Sequence, residues 1–215
     1  MKAWDDAWQT EEGRALWLKP DPFVVSLLPR FKKERIEKVL DLGVGLGRHA
    51  VLLAKEGFDV QGLDTSPAGL KYATDWAERD KVTLTLTMGE MGHLPFDNDF
   101  FDLVVAWNVI YHGTADYIRQ TVGEIKRCLK PSGYLLCTLI STRHSKHGLG
   151  QEIERGTYII AEEGEKSYPH HYFDREEISR YLKAFALLKC EHVEQFRPGT
   201  FHWNILVRLV SKSGE

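Results

Sequence analysis

Cysteine is scarce in this chain: 215 residues carry three, Cys128, Cys137 and Cys190. They are odd in number and far apart, which argues against a disulfide framework or a cysteine-based zinc site and suits a reducing compartment. No apolar run is long enough to span a bilayer. Asp5, Asp6, Glu11 and Glu12 interrupt the N-terminus where a signal peptide needs an apolar stretch. An excess of positive charge is missing too. The formal net charge is −3, so there is no basic footprint for nucleic acid. Internal repeats and low-complexity tracts are absent. These absences leave a globular protein, expected in the cytoplasm, with no nucleic-acid or membrane partner expected. The length suits one domain with a substantial core.

What is present centres on Lys38-Val39-Leu40-Asp41-Leu42-Gly43-Val44-Gly45-Leu46-Gly47-Arg48. Val39, Leu40 and Leu42 form a short apolar run of the kind that becomes a buried parallel strand. The three glycines let the backbone turn sharply and let a ligand approach it without meeting a Cβ. From Arg48 to Glu56 the pattern is helical, and a helix N-terminus offers free N–H groups to an anion. Strand, glycine turn and helix together make a nucleotide-type site at the carboxyl edge of a sheet. The dinucleotide fingerprint G-x-G-x-x-G places its third glycine five positions after the first. Here Gly47 falls one residue earlier, giving D-x-G-x-G-x-G from Asp41 to Gly47.

Further blocks follow. Phe58 to Leu63 reads as a strand that ends in Asp64-Thr65-Ser66-Pro67. A carboxylate there suits vicinal ribose hydroxyls, because its two oxygens accept both at once. Asp64 could instead cap the next helix, Ala68 to Asp80, but Ser66 and Pro67 already supply an N-cap and a first-turn proline. Ribose binding is therefore favoured. Val82 to Thr87 alternates as a strand, followed by Gly89-Glu90-Met91-Gly92-His93-Leu94-Pro95-Phe96. An apolar strand from Phe101 to Trp107 then ends at Asn108.

Taken in order, these blocks resemble the class I S-adenosylmethionine-dependent methyltransferases. Asp41 to Gly47 resembles their motif I. Glu90 stands where the family more often has Asp to receive the adenine amino group, and Met91 where a backbone N–H meets the adenine ring. The L-P-F of Leu94 to Phe96 and the F-D-x-V of Phe101 to Val104 complete the pattern. A helix from Ala115 to Leu129 leads to Lys130-Pro131-Ser132-Gly133, where the family usually has P-G-G. The fragments G-R-H, L-A-x-x-G-F-D-V and G-L-D-x-S-P look like the small-molecule branch that includes tellurite-resistance and methyltransferase-11-like enzymes. The resemblance implies a Rossmann-like α/β fold: a seven-stranded, mostly parallel sheet with an antiparallel last strand and helices on both faces. It also implies S-adenosylmethionine as methyl donor, with S-adenosylhomocysteine as product, and in-line transfer to a small acceptor. Asp41, Gly43, Gly45, Gly47, Asp64, Thr65, Glu90, Met91 and Asn108 are expected at the cofactor.

The remaining segments divide the single domain. Residues 1–37 carry Trp4, Trp8 and Trp17. Trp4 and Trp8 share a helix face, either packing on the body or covering the pocket as a lid. Residues 38–140 form the cofactor-binding core, 141–172 a loop-like insertion on the acceptor side, and 173–215 a helix capped by Asp174 with a terminal β-hairpin. Asn108-Val109-Ile110-Tyr111 has the outer residues of the N-P-P-Y motif of amine methyltransferases without the prolines that enforce its turn. Tyr111, His112 and His171 are the acceptor-side catalytic candidates, since histidine transfers protons near neutrality. His144-x-x-His147 and His170-His171 invite a metal, but no cysteine supports it and Gly148 and Gly150 argue against a rigid platform, so no metal is expected. Alternatives are an NAD(P)-dependent oxidoreductase, which shares Asp64 but not the glycine spacing, and a non-catalytic S-adenosylmethionine-binding protein.

Overall fold

Short apolar strands covered on both faces by helices carry the architecture of the computed structural model, which describes residues 2–161 and 164–210. Expectations touching residues 1, 162–163 and 211–215 lie outside the described residues. Seven strands form the main sheet: β1 (Lys38–Leu42), β2 (Asp59–Asp64), β3 (Thr85–Met88), β4 (Phe101–Ala106), β5 (Leu129–Ile140), β9 (Phe185–Glu194) and β10 (Phe201–Leu209). Their order is β3-β2-β1-β4-β5-β10-β9. The five strands from β3 to β5 run parallel, and β10 lies antiparallel between β5 and β9. This is the expected seven-stranded sheet, with the last strand inserted next to the fifth.

Helices α3 (Pro22–Lys33) and α4 (Arg48–Lys55) pack Phe23, Leu27, Phe31, Ala50 and Leu53 on one face. On the other face, α6 (Ala115–Cys128) and α7 (Arg175–Tyr181) bury Ile118, Ile125 and Ile178. Burial on both sides explains why Val39 to Leu42 and Leu103 to Ala106 carry almost no polar residues. Side-chain caps fix the helix starts. Asp21 accepts from the Phe23 N–H, Thr114 from Tyr117, and Ser66 from Gly69 at the head of α5 (Pro67–Arg79). Asp174 and Glu177 form a reciprocal capping box. Two short helices, α1 (Lys2–Trp8) and α2 (Glu11–Arg14), precede a 3-10 turn at Ala15–Trp17. Among the described residues, no helix is long and apolar enough to cross a membrane.

The structure departs from the sequence reading in two places. β3 begins at Thr85 rather than Val82, because Val82 N–H donates to Ala77 O and Lys81 takes φ +56°, which closes the end of α5. Residues 141–172 are not a plain loop. They hold a second sheet of β6 (Gln151–Glu154), β7 (Thr157–Ile159) and β8 (His170–His171). Strands of two to four residues are too short to show a period in sequence.

Candidate active site

A cavity of about 260 Å³ opens at the carboxyl ends of β1 and β4. There the connections diverge to opposite edges of the sheet, the usual ligand crevice of such folds. The glycine loop forms its floor. Gly43 adopts φ +71°, and a Cβ there would lie 2.6 Å from Val109 Cγ2, so only glycine lets the loops after β1 and β4 come this close. The N–H groups of Gly43 and Val44 donate to Leu63 O, locking the loop to β2. Gly47, at φ +90°, occupies the α4 N-cap without a side-chain cap.

Asp64 lines the cavity. Its Oδ2 accepts from Gly45 N–H at 2.8 Å and its Oδ1 from Ser66 N–H at 2.9 Å. Burial raises its pKa, against the pull of backbone amides of Gly45, Ser66 and Thr65. Each oxygen keeps a lone pair for a ligand hydroxyl. Thr65, Glu90 and Met91 line the same space. The Glu90 loop is held from α6: Gly92 N–H donates to Tyr117 Oη at 3.3 Å, and Gln120 Nε2 donates to Gly92 O at 2.9 Å.

Trp107 and Asn108 close the inner wall. Asn108 sits at φ +60°, a left-handed position that asparagine tolerates better than most residues. Thr138 fixes it twice, accepting Asn108 N–H at 2.6 Å and donating to Asn108 Oδ1 at 2.8 Å. Asn108 Nδ2 and Trp107 Nε1 are buried without a hydrogen-bond partner among the described residues. Buried donors left unpaired are costly, and both belong to residues that line the cavity. They suit a ligand rich in acceptor oxygens.

Not every expected site residue reaches the cavity. Asp41 is buried beneath the glycine loop. Burial pushes its carboxyl up to about 7, against the pull of the Arg48 guanidinium and the Ala50 N–H. Gly47 packs against Ala73 behind the loop. Both shape the loop rather than line the site. Tyr111 is likewise set back. Its ring lies 4.5 Å from that of His112 at a tilt of 37°, and burial drives its hydroxyl pKa well above the usual range. His112 does line the cavity. His171 does not: it is bonded to Thr157 at 2.7 Å and packed against Phe173 and Tyr181. Successive residues of a strand face opposite ways, so β8 turns His170 toward His112 and His171 into the core. His171, expected on the acceptor side, thus stands away from the cavity, while its neighbour His170 meets His112.

The roof comes from the N-terminal segment. Trp4, Trp8 and Trp17 all line the cavity. Trp4 and Trp8 stack at 4.9 Å, and Trp17 meets Trp4 edge-on at 5.2 Å. Asp5 pins this segment to the head of α5, accepting from Ser66 Oγ at 2.8 Å and Ala68 N–H at 2.9 Å. Those two bonds hold its carboxyl below its ordinary pKa. Packing and covering are thus the same contact. Sequence reasoning assigned no role to Arg48, His49, Trp107, Glu165 or Tyr168. Of these, only Arg48 and His49 carried a signal, the G-R-H fragment.

An α/β sheet with a glycine-loop crevice at its switch point defines a nucleotide-binding class of protein. The comparisons specify it further. Residues 39–133 match a methyltransferase domain. A putative methyltransferase of Geobacillus sp. (strain WCH70) is 32% identical over 143 residues, covering 66% of this chain and 53% of that protein. The ubiquinone biosynthesis O-methyltransferase of Rickettsia conorii (strain ATCC VR-613 / Malish 7) is 24% identical over 73% of this chain and 51% of its own. The chain thus spans about half the length of these relatives. In fold it is similar to a SAM-dependent methyltransferase from Methanosarcina mazei, with TM-score 0.73 and 20% identity over 90% of this chain and 99% of that one. It is also similar to the 1,6-didemethyltoxoflavin-N1-methyltransferase of Burkholderia thailandensis, with TM-score 0.73 and 17% identity over 98% and 88% of the two chains. The fold is that of these S-adenosylmethionine-dependent methyltransferases of known structure, and the matched stretch is a methyltransferase domain.

Proposed function

We propose that this chain is an S-adenosylmethionine-dependent methyltransferase acting on a small-molecule acceptor. The observation that carries this reading is the pair of unpartnered buried donors, Trp107 Nε1 and Asn108 Nδ2, in the same cavity as the carboxylates of Asp64 and Glu90. The donors suit the carboxylate of the methionine portion, Asp64 and the neighbouring Thr65 the ribose, and Glu90 with the Met91 N–H the adenine. When bound, the cofactor supplies a methyl group already activated on a sulfonium.

The chain's task is then alignment and exclusion of water. The glycine loop brings backbone to the ligand, with Asp41 and Gly47 setting its shape from behind. Residues 1–37 act as a lid through the three indoles, and residues 141–172 form the acceptor-side wall. Tyr111 keeps its proton and positions His112, which faces the acceptor. The small cavity and its indole roof favour a compact acceptor over a macromolecule. A small-molecule substrate is also what the printed names of the Rickettsia and Burkholderia proteins describe.

Calorimetric titration with S-adenosylhomocysteine and, separately, with NAD⁺ tests this. Submillimolar binding of S-adenosylhomocysteine alone, weakened at least tenfold in Asp64→Ala, is the expected result. It opens a methyl-acceptor screen of small thiols, metalloid oxyanions and phenols. Binding of NAD⁺ alone overturns the reading in favour of an oxidoreductase.

A further inference from the structure

His112 and His170 stand on neighbouring strand-like segments joined by an antiparallel bridge, and their rings meet edge-on at 4.6 Å. Each is oriented through its outer nitrogen. His112 Nδ1 lies 3.0 Å from Val109 O, and His170 Nδ1 lies 2.9 Å from Tyr168 O. A carbonyl oxygen only accepts, so both Nδ1 atoms carry the proton. A ring that carries its one hydrogen at Nδ1 presents a lone pair at Nε2. Both lone pairs converge on one atom: Glu165 Oε2 lies 2.6 Å from His170 Nε2 and 3.4 Å from His112 Nε2. That oxygen is an acceptor as well. Three electron-rich atoms therefore converge, and a positive charge between them, carried by a proton or by a metal cation, completes the contact.

We propose that His112 Nε2, His170 Nε2 and Glu165 Oε2 bind a divalent transition-metal ion whose open positions face the cavity and take an oxygen of the acceptor. An imidazole whose outer N–H is anchored on a carbonyl is the usual arrangement of a metal-bound histidine. The three donor atoms lie within 4.8 Å of one another. Donors bound at about 2.1 Å from one ion sit roughly 3–4 Å apart, so closure requires only small side-chain movements. Lys166 Nζ pairs with Glu165 Oε1 at 3.2 Å, leaving Oε2 as the single carboxylate ligand. Two imidazoles and a carboxylate suit zinc, iron or cobalt, whereas calcium and magnesium prefer oxygen ligands throughout. The sequence reading weighed His144 with His147 and His170 with His171, and set a metal aside for want of a cysteine and of a rigid platform. The fold pairs His170 with His112 and Glu165, from two other segments.

The catalytic use of this ion rests on the methyltransferase reading; its binding does not. His112 belongs to both the metal cluster and the cavity wall, and the Trp4 ring lies 6.2 Å from its own. An acceptor hydroxyl on the ion loses its proton to solvent near neutral pH. The oxygen then forms its bond to the methyl carbon as the carbon–sulfur bond breaks and its electron pair returns to sulfur. The acceptor class is accordingly a metal-chelating oxygen compound, such as a phenol, enol or hydroxy acid.

Tag-free protein, stripped with a chelator, is titrated with Co²⁺ and followed by calorimetry and visible absorption. One equivalent is expected to bind with ligand-field bands. Glu165→Gln and His170→Asn are expected to weaken binding by about 100-fold or more, since even outer-shell changes cost roughly 10–100-fold. His93→Asn, an exposed histidine outside the cluster, leaves it unchanged. S-adenosylhomocysteine titration of the same variants reports whether the cleft is intact. If that ligand binds but Co²⁺ does not, or binds indifferently to both substitutions, protons fill the gap and the metal site is wrong. If Co²⁺ binds as expected but S-adenosylhomocysteine does not, the metal site stands and the methyltransferase reading falls.

Discussion

Thr138→Val tests the inner wall of the cavity directly. Thr138 is fully buried on β5 and bonds Asn108 twice, through its N–H at 2.6 Å and its Oδ1 at 2.8 Å. Valine has nearly the same shape, so no cavity forms and the change removes only the hydroxyl. Two buried groups of Asn108 then lose their partner, at about 1–3 kcal/mol each, for a total of roughly 2–6 kcal/mol. With a urea slope of about 2 kcal/mol per molar, the unfolding midpoint falls by roughly 1–3 M. Thr138→Ser keeps the hydroxyl and is expected to lose about 1 kcal/mol for its missing methyl. The second effect is on binding. Freed from Thr138, the Asn108 amide no longer presents Nδ2 in one orientation, so S-adenosylhomocysteine binds about tenfold more weakly, a loss of ~1.4 kcal/mol. A Thr138→Val protein within about 0.5 kcal/mol of wild type, with unchanged ligand affinity, refutes both the orientation and the role given to Asn108.

Three other perturbations are as specific. Gly43→Ala forces a Cβ into Val109 at a φ of +71°, so a melting curve should show a loss of about 1–3 kcal/mol and calorimetry a weakened ligand. Asp41 keeps its proton to about pH 7 in the folded state but only to about 3.8 when unfolded. The folded protein binds more protons across that window, so this group's contribution is complete below pH ~4 and is lost as pH rises toward 7. Asp41→Asn cannot titrate, and the difference between its pH–melting profile and that of wild type should follow that slope; parallel profiles refute the assignment. Asp5→Ala removes both bonds to the head of α5 and a charge that suits that terminus. Limited proteolysis should then cut the first twenty residues faster, with protection by S-adenosylhomocysteine reduced.

The side of the cavity proposed for the cofactor was legible because it is written locally. A glycine loop, the acid after the second strand and the Glu90 block each lie within a few residues, and each demands particular residue types for steric or hydrogen-bonding reasons. Even so, adjacency in sequence did not separate residues that line the cavity from residues that shape it. Asp41 and Gly47 read like Gly43 and Gly45, and only packing shows that the first pair stands behind the second. The antiparallel place of β10 came from family resemblance, since nothing in Phe201 to Leu209 states which strands it joins. The acceptor side was less legible. His112 and Glu165 are 53 residues apart, and their meeting depends on a second sheet whose strands are too short to leave a period. Which of His170 and His171 meets His112 turned on strand alternation in a two-residue strand that could not be registered without its partner.

That division has a physical cause with a functional consequence. The donor pocket is built on β1, β2 and β4, whose backbones are paired on both sides within the main sheet. Its geometry is over-determined by the core. The roof and acceptor wall are built from α1, the 3-10 turn at Gly164–Ser167 and β8, which lie outside that sheet and are held by a few side-chain contacts: Asp5 on Ser66 and Ala68, Arg14 on Trp8 O, and Glu165 on two histidines. Elements with few such ties open at lower free energy than a core sheet. Ligand is therefore expected to enter by parting the tryptophan roof from the insertion, with the glycine loop fixed. Substitutions in residues 1–20 and 164–172 should change which acceptor is used and how fast ligands exchange. Substitutions beneath the glycine loop should change stability and donor affinity together.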